Sequence, residues 1–439
     1  MKKHIVSSLV AIAVLSSTST QAESLYEVYQ LAIQNDPGLR AAAATYRAEN
    51  ESLTVTKGNL YPSITFNGNL GYKTADGPVN DVDTTTNSLS LDMNYPIYSP
   101  ALNYAVDAVE LSYKNAGVTF DNTKEDLALT ALTEYFNLLI AQSTLKTTQA
   151  QVKSTASQLD RTKKQYEVGL ASITDLQDTQ AEYDSIRVTE LSARSDVSYA
   201  QKVLFQRTGH VINDSKQLST DYPIKLDPNM TVESLINQAR ANNKDLRALT
   251  ISVESAENNI QIQKSNGRTP SVVLTGSLAR NDTDSTPVGN QDGAVNSATI
   301  GLGVSIPLYS GGAINATVRQ AVAQSESVIE QKASALQGIE LNIRSLYLEL
   351  QTAVAQIAAQ QQLIRSRSSA LEATRAGYDV GTRNLVELLD AQSNLYNAQN
   401  TYEQYRYNFV VKKLNLLEET GELSEDKIQE LDKWLVSTK

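Results

Sequence analysis

The chain has no cysteine, and only ten of its 439 residues are proline. The first absence excludes disulfides, thiol catalysis and attachment of lipid to an N-terminal cysteine. The prolines stand at Pro37, Pro62, Pro78, Pro96, Pro100, Pro223, Pro228, Pro270, Pro287 and Pro307, so 101–222 and 308–439 can be helix almost throughout. Histidine is nearly absent too. Beyond His4 only His210 remains, which removes the usual zinc ligands and the usual base of a nucleophilic triad, so neither metal nor cofactor is expected. No apolar run reaches the ~20 residues with which a helix crosses a bilayer. The formal charge is −11, with no basic tract to follow phosphates, and nucleic acid is not an expected partner.

What is present begins with Lys2-Lys3, an apolar stretch over 5–15 and the small residues ending at Thr20-Gln21-Ala22, the pattern of a cleaved secretory signal over 1–22. Loss of its two lysines takes the formal charge from −11 to −13. The remainder is written twice. YEVGLASITDLQDTQ at 166–180 recurs as YDVGTRNLVELLDAQ at 378–392, and the same alignment sends Tyr135 to Tyr347 and Thr208-Gly209 to Thr420-Gly421. A period of about 210 residues is too long for a solenoid and marks a duplicated, domain-sized unit.

Apolar residues in the proline-free stretches fall at sevens: Leu138, Leu145, Val152, Leu159 and Tyr166, matched by Leu350, Ile357, Ile364, Leu371 and Tyr378. A strict seven-residue repeat supercoils a helix left-handedly. After each glycine tip the pattern resumes, so each half is a hairpin of two long helices, over about 101–208 and about 313–420. The neighbouring file of Ala141, Thr148, Thr155 and Thr162 is small or polar, which predicts a wall one helix thick with water on a second face. An ascending helix from 101 to 166 would be on the order of 100 Å long.

Before each hairpin the period changes to two. Leu89, Leu91, Met93, Tyr95 and Ile97 alternate with polar residues, as do Ile64, Phe66, Leu70 and Tyr72, then Val272, Leu274 and Leu278, then Ile300, Leu302, Val304, Ile306 and Leu308. Strands are expected at about 62–73, 87–98, 270–280 and 297–309, joined by exposed loops at 74–87 and 280–297. Such strands suit either a small sheet on a helix or a share of an outer-membrane barrel. Four strands cannot close a barrel, so in the second case several chains contribute to one.

The order of signal, short helices, strand pair and long hairpin, given twice, with VGLASITD at 168–175 and AGYDVGTRNLVELLDA at 376–391, closely resembles the outer membrane factor family of efflux and secretion channels. The resemblance covers the whole chain beyond the signal. It implies a mainly α fold with a membrane β-barrel: a homotrimer whose twelve strands form one barrel in the outer-membrane lipid of a Gram-negative bacterium, continued by an α-helical periplasmic tunnel. It further implies a periplasmic adaptor and an inner-membrane pump of the RND, ABC or MFS type as partners, with drugs, detergents, bile salts or proteins as cargo. The expected organisation is a first repeat over 23–210, an equatorial segment over 211–230, a second repeat over 231–421 and a second equatorial segment over 422–439.

The two tips differ in charge. Arg383 stands opposite Ala171 and Val386 opposite Thr174, whereas Asp175 and Asp178 answer Glu387 and Asp390. Carboxylates in the first turn of a helix can simply stabilise its dipole. By resemblance, Glu387 and Asp390 form an acidic ring at the periplasmic entrance, and Thr174, Asp175, Tyr378 and Arg383 are ties that hold it shut. Position 387 carries Glu where the family motif has Asp. Gly169 and Gly381 are explained as helix C-caps of positive φ, and the resemblance adds adaptor docking at the same turns. An enzyme using paired carboxylates and a secreted coiled-coil fibre are the competing classes. The first lacks a cleft, and the second has no need of four amphipathic strands.

Overall fold

A computed structural model describes residues 23–76, 81–212, 214–286 and 292–436; the signal expected over 1–22 lies outside them. The elements run α1 (Leu25–Asn35), α2 (Pro37–Gly58), β1 (Ser63–Ala75), β2 (Val82–Tyr98), α3 (Pro100–Glu167), α4 (Ile173–Thr208), a short β3 (Gln217–Leu218), α5 (Val232–Asn242), α6 (Lys244–Arg268), β4 (Ser271–Thr286), β5 (Gly293–Ser305), α7 (Ala313–Asp379), α8 (Leu385–Glu419), α9 (Glu425–Asp432) and β6 (Leu435–Val436). Two helices, two strands and two helices thus occur twice. β3 pairs with β6, tying the segment between the repeats to the C-terminal segment.

Helices α3 and α7 have 68 and 67 residues, about 100 Å at ~1.5 Å per residue. Each is matched in length by two shorter helices stacked end to end. The Asn35 side chain donates to the Thr208 carbonyl at 2.7 Å where α4 meets α2, and Asn243 donates to the Glu419 carbonyl at 3.0 Å where α8 meets α6. These bonds satisfy carbonyls that a helix end leaves without a partner. Asp36 and Asn243 also cap the following helices by accepting from Leu39 and Leu246.

The helices form a layer four columns wide: α2 with α4, then α3, then α6 with α8, then α7. The sheet has the same order, β1-β2-β4-β5, antiparallel throughout, so every strand continues one column. Register sorts the side chains by face. The rows Phe66–Leu91–Leu278–Ala298 and Ile64–Met93–Gly276–Ile300 are apolar, whereas Thr65–Asp92–Ser277–Thr299 and Asn67–Ser90–Ala279–Ser297 are polar or small. Asp92 accepts from Asn67, Ser90 and Ser277 across three strands. No helix among the described residues is long and apolar enough to cross a membrane.

Three expectations need correction. The strands reach further into the polar connectors than their apolar alternation indicates: β2 starts at Val82 and β4 runs to Thr286, so much of 74–87 and 280–297 is paired strand. Residues such as Thr84, Thr85 and Thr86 look like loop by polarity, but they are β-branched and their backbone groups are met by the ladder. At the other end β5 stops at Ser305, leaving Ile306 and Leu308 outside it. The third concerns the threonine file. Thr155 and Thr162 are 1% and 0% exposed, more buried than Leu145, Val152 and Leu159 beside them. Small side chains let α3 approach neighbours on both flanks, as Gln392 of α8 shows by reaching Thr155 at 3.4 Å.

The main apolar core lies at mid-height, where α1, α5, α9 and the linking segments wrap α3, α4, α7 and α8. Leu132, Tyr135, Phe136, Leu204, Ile212, Tyr407 and Phe409 are fully or almost fully buried there. Arg406, 2% exposed, donates to the Ser219 carbonyl at 2.5 Å and to Glu403 at 2.9 Å, fastening the inter-repeat segment to α8.

Candidate functional site at the helical tips

Both hairpins turn by the same device. Gly169 has φ +75° and Gly381 φ +78°, values that residues with a Cβ rarely adopt. The Leu170 amide donates to the Gln165 carbonyl and the Thr382 amide to the Gly377 carbonyl, so each long helix closes with a six-to-one bond. Each descending chain then re-enters a helix through a cap. Ser172 accepts from the Asp175 amide while Asp175 accepts from the Ser172 amide, both at 3.0 Å. In the second tip Asn384 accepts from the Glu387 amide at 2.9 Å and donates to Glu387 Oε1 at 3.0 Å. Asp175 and Glu387 therefore both act in capping, as first-turn carboxylates do.

Beyond the caps the tips diverge. Arg383 Nη1 lies 2.8 Å from Glu387 Oε2, one turn away on its own hairpin, and within the chain it reaches neither Thr174 nor Asp175. Thr174 is exposed. Tyr378 leans across to the first hairpin, donating to Gln165 Oε1 at 3.4 Å. Burial pushes its phenol above the usual range, and the charge of Asp175 adds to that shift, which places Asp175 within electrostatic reach. Asp390 is exposed on α8, and its charge, after burial, raises the carboxyl of Glu182 on α4. The structure therefore brings Tyr378 near Asp175 and Arg383 against Glu387, and it leaves Thr174 apart from both.

One tie was missed from sequence. Arg161 Nη2 on α3 meets Asp379 Oδ1 on α7 at 2.7 Å, joining the two hairpins. The repeat alignment contained its signal: Arg161 stands opposite Ala373, just as Arg383 stands opposite Ala171. Each copy thus has a cation joined to an acid at the tips that the other copy replaces by alanine. Among the described residues no group of three or more His, Asp or Glu is arranged to hold a metal ion.

A sheet with one apolar and one polar face that runs on into a wall of long helices is one segment of a transmembrane channel with a helical extension. Comparison with known proteins agrees with that class. The model of the outer membrane efflux protein family matches twice, over 28–210 and 235–422, once on each repeat. The chain is 31% identical over 424 residues to outer membrane protein TolC of Escherichia coli strain K12, covering 95% of this chain and 86% of the relative. It is 26% identical over 450 residues to the proteases secretion protein PrtF of Dickeya chrysanthemi, covering 98% and 95%. The solved Campylobacter jejuni CmeC outer membrane channel superposes with a TM-score of 0.77 at 17% identity, covering 94% of this chain and 90% of that one. The chain belongs to the outer membrane efflux protein family and is an outer-membrane exit channel. Its relatives are transport channels.

Proposed function

We propose that three copies of this chain form one closed channel that is shut at the helical tips and opened there by a periplasmic adaptor and an inner-membrane pump. The observation that carries this reading is the sheet with two free edges. β1 and β5 each have a neighbour on one side only, and unpaired backbone groups facing lipid cost several kcal/mol each. Two copies would give eight strands, whose interior side chains fill; the polar face around Asp92 calls for water, which twelve strands can enclose. The helical layer leads to the same assembly. Val188, Leu191 and Tyr199 on α4, and Leu341 and Leu348 on α7, lie exposed on the two edge columns and would meet between copies.

The tips carry the gate in this reading. Tyr378 and Arg161 hold one hairpin of a protomer to the other, and Arg383 exchanges its partner Glu387 for Asp175 or Thr174 of an adjacent hairpin. Glu387 and Asp390 in three copies form the acidic ring, and Gly169 and Gly381 expose the turns on which an adaptor docks. In this reading the cargo is drugs, detergents, bile salts or proteins, handed on by an RND, ABC or MFS pump; the likeness to a proteases secretion protein supports the last of these cargoes. The test is the single-channel conductance of Tyr378→Phe combined with Arg383→Ser in a planar bilayer. A several-fold increase is expected, and a conductance equal to the parent's would refute the gate.

A further inference from the structure

The two end-to-end helix junctions occupy equivalent places in the repeats, yet they are chemically opposite. Where α4 meets α2, Arg207 serves as a clamp, with Nε 3.1 Å from Glu134 of α3 and Nη1 3.6 Å from Asp36 at the head of α2. Alignment of Thr208-Gly209 with Thr420-Gly421 puts Glu419 in the place of Arg207 and Glu418 in that of Gln206. Where α8 meets α6, the cation is therefore missing and two carboxylates replace the pair.

They arrive among others. Glu125 and Asp126 of α3 and Asp245 of α6 all act electrostatically on Glu418, as does Glu419 beside it. Lys244 of α6 is paired to Glu125 Oε2, and from α7 the neutral Asn342 donates to Glu419 at 3.4 Å. The other Glu125 oxygen is buried without a hydrogen-bond partner of good geometry, on a residue 6% exposed. Five carboxylates thus face one ammonium. The junction also has no slack. A Cβ at Gly421 would lie 2.5 Å from the Asn242 carbonyl oxygen, whereas one at Gly209 would sit 3.6 Å from Asn35.

We propose that the α8–α6 junction is a proton-binding hinge: closed when the carboxylate cluster around Glu418 holds a proton, and loosened when the cluster is fully ionised. Burial, then the charges of Glu419, Asp126, Glu125 and Asp245, pushes the Glu418 carboxyl up to about 7, inside the range in which a periplasmic protein works. Glu125, Asp126 and Glu419 are raised as well, each chiefly by burial, so the group titrates as a set. A carboxyl raised in the folded state favours that state below its unfolded value near 4.5, and the contribution fades as pH climbs through about 7. The closed junction is therefore the acidic form. The other end of α8 begins at Leu385 in the second tip. A tilt of about 5° over a helix of ~50 Å moves that end by roughly 4 Å, so loosening the junction shifts one hairpin of each protomer relative to the other. That last step rests on the gating reading; the hinge itself does not.

Because the chain has no cysteine, spin labels can be placed at will on the intact channel. One pair, through Asn408→Cys on α8 and Glu257→Cys on α6, spans the acidic junction. A second, through Ser195→Cys on α4 and Ala44→Cys on α2, spans the arginine-clamped one; all four positions are exposed. The expected result is a distance distribution that broadens from pH ~5 to ~9 across the first junction only. Glu418→Gln, which fixes the uncharged shape, should abolish the change, and Asp245→Asn, which removes a charge that raises the Glu418 carboxyl, should move its midpoint to lower pH. Glu418→Gln with the parent's pH response overturns the proposal, as does an equal response at both junctions. Should Glu418→Gln fail to fold, an Asp245→Asn midpoint unchanged from the parent overturns it equally. Channel conductance plays no part in this readout, so failure of the hinge and failure of the gate are told apart.

Discussion

Arg161 of α3 and Asp379 of α7 meet at 2.7 Å beside the tips, and with them the two hairpins of one protomer are tied by charge as well as by packing. Both side chains are close to half exposed, at 47% and 43%. An ion pair so placed contributes about 0–1 kcal/mol to stability, which is little for folding but enough to bias two nearly balanced tip arrangements. Arg161→Ala is expected to leave the thermal unfolding midpoint of the channel within a degree or two and to raise its open probability in a planar bilayer. Arg161→Asp with Asp379→Arg should return the parent's behaviour. High salt should mimic the single substitution, because exposed pairs are screened.

Glu387 is shared between capping and charge. Its Oε2 holds Arg383 at 2.8 Å, so in the arrangement seen here the cation offsets one of the two proposed ring acids. Narrow rings of like charge focus potential and select the opposite ion. Glu387→Ala with Asp390→Ala should therefore weaken cation selectivity and block by trivalent cations, whereas Arg383→Ser should strengthen both. The reversal potential across a KCl gradient measures the difference, and a pair of variants that shift it in the same direction would refute the assignment.

Much of this architecture was legible because it repeats locally. The sevens from Leu138 to Tyr166 mark a helix wherever it lies in space, and the twos around Leu91 mark a strand with a wet and a dry face. What could not be read depends on contacts between distant segments. The burial of Thr155 comes from α8, some 240 residues on, through Gln392. The stacking of α4 on α2 rests on Asn35 reaching Thr208, which no periodicity encodes. Polar strand ends such as Thr84 to Thr86 lack the apolar alternation that marks the rest of the strand, and only the ladder shows that their backbone is paired. At the tips the charged residues were visible, but their partners were not: Arg383 turns to its own helix, and Arg161 finds Asp379 across the hairpins.

Glycines with positive φ should not be equally costly to replace. Gly169 (φ +75°) would have nothing within 4 Å of an added Cβ, so Gly169→Ala carries only the left-handed backbone penalty, about 1–2 kcal/mol. Gly421 (φ +70°) would carry the same penalty plus a collision with the Asn242 carbonyl. Gly421→Ala should lower the unfolding midpoint more than Gly169→Ala, and the order reversed would mean that the α8–α6 junction is looser than described.

The faces of the sheet make a depth-sensitive prediction. Ile300 stands on the apolar face in the row with Ile64, Met93 and Gly276, and Thr299 on the polar face with Asp92 and Ser277. Arginine on the lipid side of a barrel near mid-membrane costs about 2–4 kcal/mol, whereas the lumen accepts it. Ile300→Arg should reduce the yield of membrane-assembled channel, seen as loss of the detergent-resistant oligomer, and Thr299→Arg should leave the yield unchanged.

Tyr135 and Tyr347 are repeat equivalents with unequal duties. The Tyr135 hydroxyl donates near both the Lys216 carbonyl at 3.0 Å and the Glu23 carbonyl at 3.2 Å, on a residue that is fully buried, so it pins the inter-repeat segment and the start of the described chain to α3. Tyr347 donates to the Met230 carbonyl at 3.3 Å from a half-buried site. Losing a hydrogen bond and leaving a buried carbonyl unmet costs about 1–3 kcal/mol, and water can repair the loss where it has access. Tyr135→Phe should therefore destabilise the channel clearly more than Tyr347→Phe in thermal or denaturant unfolding. Burial also pushes the Tyr135 phenol far above its ordinary value of 10.0. Its contribution is then complete below pH 10 and is lost only as pH rises beyond that, so the parent should unfold in strong alkali more steeply than Tyr135→Phe.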